Sequence, residues 1–75
     1  MKVKVRTEST EFDGNEWIPA GTCWNCSIIP ILPEIKGCPL GRGSTEQEAI
    51  DDLVRRVGYE SHITIIPEVT ERCRY

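Results

Sequence analysis

The sequence predicts an α+β fold: a small antiparallel sheet of three to four strands with one helix packed on one face, in the order β-β-β-α-β. Three observations carry this. Lys2, Lys4 and Arg6 alternate with Val3 and Val5, the period of a half-buried strand. Residues 45 to 58 combine a capping signal with an apolar stripe of helical spacing. A last apolar run, "HITIIPEV" from His62, follows that helix. One helix among several short strands makes a sheet covered on one face.

Taken in order, residues 2 to 7 read as the first strand, with the valines inward and the cationic side chains in water. "FDGNEW" then gives a turn, because Asp13-Gly14-Asn15 tolerates positive φ, and Pro19 to Gly21 gives a second. Residues 8 to 22 are therefore expected to be a loop or a loosely paired hairpin. "CSIIPILPEI" resumes the apolar pattern from Cys26 to Ile35. Its Pro30 and Pro33 remove two backbone donors, which places the strand at a sheet edge or gives it a bulge. "KGCPLGRGST" must then leave that strand, make a short return through Cys38 to Arg42 and reach a helix cap. Gly37, Gly41 and Gly43 permit the tight steps.

The helix begins at Thr45, three residues before Glu48, a capping box in which each side chain satisfies a backbone donor. Glu46 and Glu48 suit its positive end, Arg55 and Arg56 its negative end, and Gly58 is placed to close it. Ala49, Ile50, Leu53, Val54 and Val57 form the buried stripe; Gln47, Asp51, Asp52 and Arg55 form the solvated face. The last strand is stopped or turned at Pro67.

Length sets a ceiling of one domain, residues 1–75, since a chain this short buries only about 60% of the surface its unfolded form exposes. Disulfides, a metal or a partner subunit are the usual supplements at this size, and the four cysteines leave each open. No apolar run approaches the ~18 residues of a membrane span, and the N-terminus lacks the apolar block of a signal peptide, so a cytoplasmic location is expected. The net charge of -3 argues against a chain built to coat nucleic acid and suits a basic partner.

The order apolar strand, P-E-aliphatic-x-G-C, short strand, G-x-T-x-x-E-A and amphipathic helix resembles the N-terminal domain of HicB-type antitoxins. Pro33, Glu34, Ile35, Gly37, Cys38, Gly43, Thr45, Glu48, Ala49 and Leu53 carry the match, over about a third of the chain. The resemblance implies a sheet like part of a ribonuclease H fold, and a role in neutralising a small basic mRNA-cleaving toxin of HicA-like type. Lys36 stands where family members typically have a second proline, and residues 8 to 25 make a longer link between the first strands than the family's. Only nine residues follow Ile66, against the ribbon-helix-helix or helix-turn-helix segment of full-length antitoxins, so DNA binding by this chain is not expected.

A fold shared with a ribonuclease does not confer its chemistry. Two-metal cleavage needs several carboxylates converging from strands and helix. The first strand offers no inward acid, and Asp51 and Asp52 lie on the helix's polar face. No catalytic residue, metal or cofactor is therefore expected. The rival chemistry is in the cysteines. Cys23 and Cys26 have the CxxC spacing of a zinc clip, which Cys38, His62 and Cys73 could complete, but a second close pair is lacking. Cys38 reads better as a small buried apolar residue of the turn motif. His62 has no nucleophile partner at a recognisable spacing. Trp17 and Trp24 either plug the end of a small core or anchor a partner.

Two functions are thus expected from the sequence. One is a non-enzymatic antitoxin module, homodimeric, whose partner-binding residues are Glu34, Glu46, Asp51, Asp52, Trp17 and Trp24. The alternative is a zinc- or disulfide-stabilised regulatory protein of phage or plasmid type. In both, Pro33, Gly37, Cys38, Gly43, Thr45 and Glu48 are structural.

Overall fold

A computed structural model of the chain describes residues 1–29, 32–35 and 37–74. Its elements are β1 (Lys2–Phe12), β2 (Gly21–Ile28), β3 (Leu40–Gly43), α1 (Glu46–Ser61) and β4 (Ile66–Arg74). They form an α+β domain of the expected order, in a sheet arranged β3-β2-β1-β4 with the helix on one face. The pairs β1–β2 and β2–β3 are antiparallel, whereas β4 runs parallel to β1. The sheet is therefore mixed, not antiparallel throughout. Connectivity explains the change: α1 carries the chain back along the sheet after β3, so β4 starts from the same end as β3 and β1.

Alternation along β1 buries Val3, Val5, Thr7 and Ser9 beneath the helix and leaves Lys2 and Lys4 in water. The strand runs five residues past the expected stop at Thr7, and β2 starts five residues before Cys26, so residues 8 to 12 and 21 to 25 pair as a regular hairpin. The polar letters Glu8, Ser9, Thr10 and Glu11 obscured this, because two of the inward positions are hydroxyl side chains. β2 is an inner strand ending at Ile28, not an edge strand reaching Ile35. Pro33 lies in a turn in which Ile35 N–H donates to Leu32 O at 3.0 Å. The break expected at Pro30, and the departure at Lys36, fall outside the described residues.

Gly41 and Gly43 are required by contact. A Cβ on Gly41 would overlap the Ala49 carbonyl oxygen and the Leu53 backbone nitrogen, and one on Gly43 would overlap Glu48 Cβ. β3 therefore lies directly against α1, with Leu53 fully buried at the contact. Gly37 has a different reason: its φ is +75°, in the left-handed region. Cys38 beside it is exposed, not buried as expected, because it lies in the turn before β3.

The helix starts as predicted, with Glu48 N–H donating to Thr45 Oγ1 at 3.1 Å. The Glu48 carboxylate reaches one residue further back than a capping box requires, accepting from Ser44 N–H at 2.7 Å. Ala49, Ile50, Leu53 and Val57 are buried and Val54 half-buried. The end differs from expectation. Gly58 stays helical, the helix continues to Ser61, and His62 takes the left-handed cap at φ 55°. His62 thus closes the helix instead of opening a strand, and Arg55 and Arg56 lie outside the last turn.

Pro67 is accommodated within β4, at an edge. Ile66 N–H points inward to Met1 O at 2.8 Å, so the next residue turns its missing donor toward solvent.

Candidate functional site

Sheet register aligns Gly41, Cys26, Thr7 and Arg72 in one row across the helix-facing side of the sheet. The first turn of α1 places Glu46 over that row. Thr7 Oγ1 donates to Glu46 Oε2 at 2.9 Å, and Arg72 Nε donates to both carboxylate oxygens at 3.1 and 2.9 Å. An irregularity in β4 makes this possible: Val5 pairs with Val69 but Arg6 with Glu71, so the strand changes phase and Arg72 faces inward. Thr70 Oγ1 donates to Val5 O at 3.4 Å at the same point. Burial, with a smaller contribution from Glu46, pushes the Cys26 thiol up to about 11 and keeps it protonated.

This cluster has one carboxylate, already held by a guanidinium and a hydroxyl. Among the described residues no three His, Cys, Asp or Glu side chains come together in a way that could hold a metal ion. Thr7 continues the inward period of Val3 and Val5 and was detectable by it; Arg72 was not, because its orientation depends on the irregularity in β4.

The expected partner-binding acids do not form one surface. Glu46 is occupied as described. Asp52 accepts from Arg56 Nε at 2.9 Å, Arg42 N–H at 3.0 Å and Arg55, and its side chain is only 10% exposed. Asp51 accepts from Gln47 Nε2 at 2.9 Å on the exposed side of the helix, and Glu34 is exposed in the turn after β2. Two of the four acids thus tie the fold together, and two face water.

The tryptophans also separate. Trp24 packs against the core between Ser9 and Gly43. Trp17 is 84% exposed in the β1–β2 turn.

The cysteines are free and apart. Three residues of separation on a strand put Cys23 and Cys26 on opposite faces of β2. Cys26 is in the core, Cys38 is in an exposed turn, and Cys73 on the open face accepts from Arg6 at 3.3 Å. A CxxC clip needs both thiolates on one side, which a continuous strand denies.

Among the described residues no helix is long and apolar enough to cross a membrane. No protein-family model, curated protein or solved structure matches the chain. Fold and site together define a small α+β module with a one-sided core, internally neutralised clusters at Glu46 and Asp52, and an exposed aromatic turn.

Proposed function

We infer that the chain is a cytoplasmic, non-enzymatic module of HicB-like antitoxin type that binds and neutralises a small basic mRNA-cleaving toxin, and that it acts as a homodimer. The observation that carries this is the arrangement of the segment on which the resemblance rests. Among its described residues, the Pro33 turn, left-handed Gly37, glycine-packed β3 and Thr45-capped helix follow in the order of the resemblance, with β3 and the helix packed on each other. The return of β4 beside β1 is compatible with the partial ribonuclease H sheet that the resemblance implies.

Occlusion is the mode of action this supports. Cleavage of RNA by paired metals would need further carboxylates where Thr7 and Arg72 stand. The test is co-expression with the product of the adjacent reading frame, which this reading requires to be a small basic protein. Relief of growth arrest and a co-purifying complex are expected, together with no RNA cleavage by the purified chain. Failure of both co-expression outcomes, or metal-dependent cleavage by the chain alone, would sink the assignment.

A further inference from the structure

We propose that the tip of the β1–β2 hairpin, residues 11 to 20, is the surface that docks on a basic protein partner, inserting Trp17 and Ile18 into an apolar depression with a cationic rim. This deepens the antitoxin reading and rests on it, but locates the contact away from the helix acids.

Charge distribution is the first support. Residues 7 to 35 contain Glu8, Glu11, Asp13, Glu16 and Glu34 and no Lys, Arg or His. That stretch carries a formal charge of -5 while the whole chain carries -3, so the remainder is +2. The hairpin tip thus carries Glu11, Asp13 and Glu16 with no cation of its own, whereas α1 sets Arg55 and Arg56 among its five acids and β4 balances Glu68 and Glu71 with Arg72 and Arg74.

Geometry is the second. An eleven-residue strand spans roughly 36 Å at about 3.3 Å per residue, and the molecule's longest dimension is 41 Å. β1 therefore carries the turn to one end of the molecule, where every residue from 11 to 20 is exposed. Phe12 at 39%, Trp17 at 84% and Ile18 at 54% exposure all lie in this segment, where Phe12, Asp13 and Ile18 border one depression, and Glu11 and Glu16 are exposed in the same segment.

The turn is also held in shape. Asn15 Oδ1 accepts from Trp17 N–H at 2.9 Å and Ile18 N–H at 2.8 Å, and Asn15 N–H donates to Ile18 O at 2.7 Å. A side chain presented on an ordered turn loses less entropy on binding than one on a free loop. Aromatic residues of this kind are frequent interface anchors.

Charge also selects the class of occupant. Three carboxylates and no cation within residues 11 to 20 repel both an anionic lipid surface and a phosphate backbone, and attract a cationic protein surface.

The experiment measures binding of the full chain to the same adjacent-frame basic protein, for wild type and two tip variants. Thr45-capped helix content and melting temperature are checked in each. Trp17→Ala/Ile18→Ser should weaken binding at least tenfold with folding unchanged. Glu11→Gln/Glu16→Gln, which leaves Asp13 in the turn, should slow association and flatten its dependence on salt. Emission from Trp17 should shift to the blue in the wild-type complex. Wild-type binding with tip variants equal to it within twofold overturns the docking surface and leaves the antitoxin reading intact. Absence of wild-type binding overturns both. Blue-shifted emission with phosphatidylglycerol vesicles but not with the basic protein would assign the tip to a membrane surface and also overturn it.

Discussion

At the residue scale, Asp52 shows how a side chain on a solvated helix face becomes structural. Its arginine partners at positions three and four further along were legible in the sequence, since those spacings bring side chains together. The Arg42 backbone donor was not, because it arrives from β3 across the tertiary contact made by Gly41. The hydrogen bond from Arg56, then those from the Arg42 backbone and from Arg55, hold the Asp52 carboxyl well below the usual carboxylate range. A depressed folded value means that the stabilisation is fully present above the unfolded value of about 3.9 and is lost as pH falls through the folded value. Asp52→Asn should therefore lower the melting temperature at pH 7 and have a smaller effect at pH 3. Thermal melts at the two pH values check this; an equal loss at both would show that the charge of Asp52 contributes nothing. Cys38 and Cys26 illustrate the complementary difficulty. Both are cysteines in apolar surroundings by sequence, and only their placement in a turn or under a helix separates the exposed one from the buried one.

At the element scale, α1 was the most legible part of the chain because its start and its buried stripe are local patterns. Its end was not. Gly58 is the obvious stop signal, yet Val57 is buried and the following turn of helix continues to Ser61, leaving the left-handed position to His62. β1 was legible through Thr7, which keeps the period of the valines, and became illegible where Glu8 to Glu11 took over, though Ser9 is buried. β4 was placed four residues too early, and its parallel direction required knowing that α1 spans the sheet. The helix supports a pair of graded expectations. Thr45→Ala removes the acceptor for Glu48 N–H and should cost about 1 kcal/mol. Leu53→Ala leaves a cavity at the β3 contact and should cost roughly 2 to 5 kcal/mol. Denaturant unfolding gives both numbers, and a Leu53 variant less damaging than the Thr45 one would mean that the stripe does not face the sheet.

At the scale of the whole molecule, the helix covers one side of the sheet and leaves the other open. That open side is mixed: Lys2, Lys4, Arg6 and Glu8 from β1 lie beside Asn25 and Ser27 from β2, and the register adds the exposed Leu40 and Ile66. Arg6 is paired there with Glu8 at 3.1 Å and Glu71 at 3.7 Å. Among the described residues nine buried apolar residues form the core, a small number for a chain that must offset its own conformational entropy. A second copy is the commonest supplement, because a two-fold interface reuses one surface twice. The Pro67 end of β4 is blunted by its missing donor, which directs pairing toward the rest of that edge or toward apolar surface elsewhere. Stability supplied by association depends on concentration, since whatever binds only the folded state raises the apparent melting temperature as its concentration increases. The melting temperature of the purified chain should therefore rise between 1 and 100 μM, values on the order of those where weak dimers form, and sedimentation over the same range should show a dimer. A monomer throughout, with a melting temperature independent of concentration, would mean that the nine-residue core is sufficient alone. The exposed Trp17 turn would then have to be accounted for entirely by a different protein.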